Sequence, residues 1–206
     1  MSVQMKGKAR NMKLGITGGI GSGKTSVCRV FRVLGIPVFS ADPEARRIMN
    51  NHPDIINGIN RIAGKNMYAE GVLNSNELAS IIFNNEEILR KVNALVHPLV
   101  FKYFQEWAEK QNAPYVIMEA AILFESGASS LVDRIAVVIA PIEERIARVT
   151  LRNNLTREQV IDRIKNQMDD KARISMSDYV INNSENEMII PAILKIHEDI
   201  LNHLNS

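Results

Sequence analysis

The chain has 206 residues, 46% of them hydrophobic, with 25 basic against 23 acidic side chains and a formal net charge of +2. That length and apolar content suffice for one full core, so a single domain, with or without insertions, is expected rather than two independent modules. The near-balanced charge argues against a polycationic nucleic-acid binder, and every apolar run is far shorter than the ~20 residues a bilayer span needs, so neither nucleic acid nor membrane is an expected partner.

The chain opens on "MSVQMKGKARN", which is basic but lacks the apolar stretch of a secretion signal. It is set outside the fold, with Met12 as a candidate start. The first apolar run, "KLGIT", reads as a buried strand, and a glycine-rich loop and an amphipathic helix, "TSVCRVFRVLG", follow it. The lone Cys28 has no internal partner; it reads as a small buried helix residue and suits a reducing, cytoplasmic compartment.

Four more short runs follow: "IPVFS", "YVIMEA", "RIAVVIA" and "DYVIN". With helical patterns between them, they predict a five-stranded parallel α/β sheet. Helical periodicity between the second and third strands is too long for one crossover and predicts an insertion beside the sheet over residues 43–112. A second, smaller helical insertion is expected over 143–177. The core is then left to 12–42, 113–142 and 178–206.

The glycine-rich loop carries the first chemistry. Gly18, Gly23, Lys24 and Thr25 satisfy G-x-x-x-x-G-K-[ST] between a strand and a helix, the context that motif requires. Glycines let successive backbone N–H groups turn inward and form a nest for anionic oxygens at a helix N-terminus. Lys24 adds an ammonium for the β- and γ-phosphates, and the Thr25 hydroxyl is a Mg²⁺ ligand candidate. The candidate nucleotide-binding set is Gly18, Gly19, Ile20, Gly21, Ser22, Gly23, Lys24, Thr25 and Ser26. Such a loop implies a nucleoside triphosphate without naming the reaction.

Asp42 ends the second strand, where a parallel sheet gathers its active site. A carboxylate there would orient and deprotonate an attacking hydroxyl; an aspartate before a proline and a helical pattern also suits an N-cap. Glu119 is the one charge in the third strand. It fits the shell of Mg²⁺, or an ion pair with Lys24 or an arginine. Arg145, Arg148 and Arg152 recur at helical spacing in the second insertion. They make either a solvated stripe paired with Glu144 or a lid that brings guanidiniums onto the transferring phosphoryl group and excludes water.

Taken with "LGIPVFSAD", "NALVHPLV", "EAAILFESG", "RVTLRNNLTREQVIDRIKNQ" and "SDYVINN", the loop "LGITGGIGSGKTSV" resembles the dephospho-CoA kinase family over nearly the whole chain. The resemblance implies a P-loop NTPase-type α/β fold whose five-stranded parallel sheet is flanked by helices, with a helical substrate-binding insertion and a helical lid. It implies ATP as co-substrate, Mg²⁺, and phosphorylation of the ribose 3′-hydroxyl of dephospho-CoA; a monomer or weak homo-oligomer is expected. Asp42 would face the acceptor hydroxyl, Arg148 and Arg152 would be lid arginines, residues 43–112 would hold the pantetheine-bearing substrate, and Asn182 or Asn183 would lie near the adenine.

The chain departs from the family pattern in places. Ser40-Ala41-Asp42 stands where Asp-Ala-Asp is common, Ala121 opens a segment that often begins with proline, and Arg145 replaces a frequent glutamine. His97, before Pro98, reads as a helix-boundary or structural residue rather than a base. Glu125 suits either a structural or a substrate-binding role. Rival classes are another small-metabolite or nucleoside monophosphate kinase on the same fold, and an NTPase switch, against which the missing N-K-x-D guanine motif counts.

Overall fold

In a computed structural model the described residues are 11–83 and 85–205. The N-terminal segment set outside the fold lies, apart from Asn11, outside the described residues. Five strands form one sheet: β1 (Met12–Thr17), β2 (Val38–Ser40), β5 (Tyr115–Glu119), β6 (Arg134–Ile139) and β7 (Tyr179–Asn182), while β3 (Tyr68–Ala69) and β4 (Val72–Leu73) form a separate hairpin. The spatial order is β2-β5-β1-β6-β7 and every pairing is parallel. The expected α/β fold is therefore observed. β1 is central and covered on both faces, which is why its sequence is almost continuously apolar instead of alternating.

Side chains of one strand point alternately to the two faces, so β5 sends Tyr115 and Ile117 into one core and Val116 and Met118 into the other. The first core is closed by α1 (Lys24–Val33), which buries Val27, Cys28 and Phe31, and by α9 (Ile189–Asn205), which buries Ile193, Ile196 and Ile200. Both sets keep to one side of a 3.6-residue helix. The second core is built on α5 (Glu86–Lys110), whose Val92, Val96, Val100, Phe104 and Ala108 are all buried. Around it pack α2 (Ala41–Asn51), α3 (Pro53–Ala63) and α4 (Ser75–Phe83). The Phe104 ring lies 5.4 Å from that of Phe39 on β2, so the helical insertion and the sheet share one core.

Of the two readings of His97, the helix boundary is absent: α5 runs unbroken through Pro98. A proline inside a helix costs about 3 kcal/mol, whereas each fully buried valine or phenylalanine returns roughly 1.5–3 kcal/mol. Buried residues on both sides of Pro98 therefore hold the helix together. The half-buried His97 ring stacks on Phe101 at 5.9 Å, and burial lowers its pKa.

Sequence reading also missed the hairpin. Its two-residue turn, Glu70 and Gly71, has φ of 51° and 79°. Both values are positive, as the type I′ turn that suits a twisted hairpin demands. Beyond β6, α6 (Ile142–Asn153), α7 (Arg157–Lys165) and α8 (Asp170–Ser175) form the second insertion. Ile146, Val149 and Val160 are its buried center, with Ile20 of the glycine-rich loop packed against them. A capping box of Thr156 and Gln159 starts α7. Among the described residues no helix is long and apolar enough to cross a membrane.

Candidate active site

The carboxyl ends of β1, β2 and β5 converge on one cleft. It has a volume of about 420 Å³ and is lined by loop residues Ile20, Gly21, Gly23, Lys24, Thr25 and Ser26, by Asp42 and Arg46 of α2, and by Glu119 at the end of β5. Arg148, Arg152, Arg163 and Gln167 close it from the second insertion. Five cationic side chains against two carboxylates make this a positive hollow in a nearly neutral chain, suited to an anion.

The loop is bent by its glycines. At Gly23 φ is 94°, and a Cβ there would lie 1.9 Å from Nδ2 of Asn183, so neither the backbone nor the space admits a side chain. Lys24 opens α1, and its ammonium donates to the Gly18 carbonyl at 2.7 Å. Burial lowers the Lys24 pKa, with Asp42 and Glu119 pulling the other way. The hydroxyls of Thr17 and Ser22 are buried at the loop with no hydrogen-bond partner among the described residues. Unpaired buried donors beside an N–H nest are what an oxygen-rich ligand would satisfy.

Glu119 accepts from the Thr25 hydroxyl at 3.2 Å and from the Ser40 hydroxyl at 2.9 Å. It is thus held by hydroxyls, where the sequence left an ion pair open. Among the described residues no group of three or more His, Cys, Asp or Glu could hold a metal by itself. The hard oxygens of Thr25 and Glu119 fit Mg²⁺ shared with a triphosphate, which keeps water and phosphate oxygens in its shell.

Asp42 is not the N-cap. Ser40 holds that position and Asp42 lies in the first turn of α2, because the helix begins at Ala41. Its carboxyl opens to the cleft and accepts from the backbone of Ala121. Enclosure by the cleft walls raises its pKa, Lys24 opposes that rise, and Glu119 adds to it.

The three arginines of α6 have different fates. Arg148 donates to Glu144 at 2.8 Å, as a surface stripe would, and also to the Asn183 carbonyl at 3.0 Å while lining the cleft. Arg152 lines the cleft and bonds only its neighbor Asn153 among the described residues, at 2.8 Å. Arg145 turns inward and is buried. After β7, Asn183 and not Asn182 reaches the loop, its amide donating to the Ser22 carbonyl at 2.7 Å, while Asn182 bonds Glu187. Arg46, Arg163 and Gln167 were missed as cleft residues. The spacing of Arg163 and Gln167 on and just past α7, four apart, was the available signal.

Residues 12–188 match the family model for dephospho-CoA kinase. The chain belongs to the dephospho-CoA kinase family. A Bacteroides fragilis protein named dephospho-CoA kinase is 37% identical over 186 residues, 90% of this chain and 91% of that protein. A crystal structure from Thermus thermophilus is similar at a TM-score of 0.84 with 32% identity, covering 93% of this chain and 98% of that one. A Campylobacter jejuni dephospho-CoA kinase shares the fold, with a TM-score of 0.67 at 24% identity over 93% of this chain and 98% of that one. The enzyme is therefore a kinase.

Proposed function

We propose that the cleft transfers the γ-phosphoryl group of ATP to the ribose 3′-hydroxyl of dephospho-CoA, giving coenzyme A and ADP. The observation that carries this reading is the meeting of Lys24, Thr25, Glu119, Asp42, Arg148 and Arg152 around one hollow in a chain of this family. Backbone N–H groups from Gly18 to Ser26 cradle the triphosphate, and Lys24 steadies its β- and γ-oxygens. Thr25 and Glu119 would hold Mg²⁺, which would supply positive charge to offset that of the phosphate oxygens.

Asp42 accepts the proton of the acceptor hydroxyl. The freed oxygen bonds to the γ-phosphorus as the bond to the β,γ-bridging oxygen breaks, and ADP leaves with the electron pair. Arg148 and Arg152 meet the charge that spreads over the phosphoryl oxygens, and residues 143–177 act as a lid that keeps water out. Of Asn182 and Asn183, the adenine is assigned to the side of Asn183, supported by its contacts to Ser22 and Arg148. Residues 43–112 form the acceptor-binding part, and the single buried thiol of Cys28 is in keeping with a cytoplasmic enzyme.

The test presents dephospho-CoA, adenosine and shikimate separately with ATP and Mg²⁺, and scores ADP release against a blank without acceptor. Release confined to dephospho-CoA supports the reading. Preference for another acceptor, or equal release in the blank, overturns it in favor of a different kinase or an NTPase.

A further inference from the structure

Ile20 in the phosphate loop is held through its backbone from two sides. Its N–H donates to Gln167 Oε1 at 2.8 Å, and its carbonyl accepts from Arg145 Nε at 2.9 Å. Neither partner belongs to the strand or helix that the loop connects. Arg145 comes from α6, and Gln167 lies between α7 and α8.

The Arg145 guanidinium is itself pinned. Its Nη1 donates to Asp170 at 2.8 Å, and the other oxygen of Asp170 accepts from Arg173 at 3.1 Å. Arg173 also donates to Glu125 at 3.3 Å, and Glu125 accepts from the backbone of Met168. Arg145 is 4% exposed and Arg173 1%. Buried guanidiniums are tolerated only when their forks are matched, so this chain of alternating charges fixes where Arg145 points.

The loop is shaped to that position. A Cβ on Gly19 would fall 2.1 Å from Arg145 Nη2, and one on Gly21 would fall 2.5 Å from the Arg145 carbonyl. Neither glycine is one of the two that the phosphate-loop motif requires; Arg145 accounts for Gly19, and at Gly21 it adds to a φ of 77° that already favors glycine.

We propose that Arg145 is a positioning residue for the phosphate loop: from behind, it fixes the Ile20 carbonyl and thereby the curve of residues 18–23 that receives the triphosphate. It touches no substrate. Arg148 and Arg152 work from the cleft, whereas Arg145 works through the backbone, with Asp170, Arg173 and Glu125 as its support. The proposal rests on the reading that this loop holds ATP. Lysine cannot replace it, because one ammonium does not reproduce a planar fork aimed at both a carbonyl and a carboxylate.

The experiment compares wild type with Arg145→Met, Arg145→Lys, Gly19→Ala and the Gly19→Ala/Arg145→Met double variant. ADP affinity by calorimetry, KM for ATP, KM for dephospho-CoA and melting temperature are measured, with wild-type turnover and ADP binding established first. Nucleotide affinity lost only in the variants is thus separated from a loop that never bound nucleotide.

Arg145→Met should weaken ADP binding and raise KM for ATP by about tenfold or more, the worth of a lost hydrogen bond to a charged group, with KM for dephospho-CoA within about twofold. Arg145→Lys should follow the same pattern and serves if the methionine variant does not fold. Gly19→Ala should weaken ADP binding in wild type and add nothing in the Arg145→Met background, because the clashing guanidinium is then gone. Wild-type ADP affinity in folded Arg145→Met or Arg145→Lys, or effects of Gly19→Ala and Arg145→Met that multiply, would overturn the proposal and reduce Arg145 to lid packing.

Discussion

The Thr25 hydroxyl, in the first turn of α1, donates to the Glu119 carboxylate at the end of β5 across 3.2 Å. Register explains the meeting: Glu119 is aligned with Ile16 of β1 on one side and with Ser40 of β2 on the other. A hydroxyl that follows β1 and a carboxylate that ends β5 therefore share one end of the sheet, where a triphosphate-bound cation would need both.

Glu119→Gln tests that pairing. The amide keeps its shape and its contact to Thr25 but loses the charge, so activity should fall about 10–100-fold and recover partly as Mg²⁺ is raised. A magnesium titration of initial rates checks this. A rate unchanged at limiting Mg²⁺ would remove Glu119 from the metal shell.

Lys24→Met should lower kcat by roughly 10²–10³-fold, the scale of losing one preorganised charge at the reacting group. Its folding signature is opposite in sign. Burial depresses the Lys24 pKa, so the folded chain holds that proton less tightly than the unfolded chain. The charged amine thus costs stability at pH 7, and the cost fades only as pH rises toward the unfolded value. Nucleotide-free Lys24→Met should melt no lower than wild type at pH 7, which thermal denaturation reads directly. A large drop in melting temperature would mean that the ammonium serves structure.

Asp42→Asn should lower kcat on the order of 10²-fold or more while ATP affinity survives, since the phosphates are held by another segment. The Asp42 pKa is raised above the ordinary 3.8, chiefly by burial in the cleft. Protonation therefore begins at higher pH than for a free aspartate, and kcat of wild type should fall on the acid side sooner. That limb should vanish in Asp42→Asn. A raised pKa also means that the stability Asp42 adds is fully present below its unfolded pKa and is lost as pH rises through the folded value, so Asp42→Asn should melt no lower at pH 7. A variant with wild-type turnover, or with the acid limb intact, would exclude Asp42 as the base.

Arg148→Ala and Arg152→Ala should both reduce kcat more than they weaken ATP binding, because developing charge is strongest in the transition state. Their stabilities should differ. Arg148 bridges Glu144 and the Asn183 carbonyl, so its loss should cost up to ~1 kcal/mol, the ceiling for a partly exposed pair. Among the described residues Arg152 bonds only its neighbor Asn153, and its loss should leave melting unchanged. Steady-state kinetics and denaturant melts on the two variants separate these outcomes. Retention of kcat in both would assign the arginines to the solvated stripe.

The five parallel strands, the phosphate loop and the place of Glu119 at a strand end are legible in the sequence, whereas Asp42, expected to end the second strand, lies in the first turn of α2. Those signals are local: continuous apolar runs come from strands buried on two faces, and glycines at fixed spacing come from a backbone that must curl. Tertiary structure alone decided the rest. Pro98 predicts a break in isolation, and only packing of Val92 through Ala108 on the sheet keeps α5 whole. Whether Asn182 or Asn183 turns toward the loop depends on β7 lying in register with β6, which no local pattern records. Arg145, Arg148 and Arg152 share one periodicity yet end buried, bridging and exposed respectively, because their surroundings come from the loop, from the segment after β7 and from solvent. Helical spacing fixes direction around an axis; what stands in that direction is a long-range contact, set only when distant segments pack together.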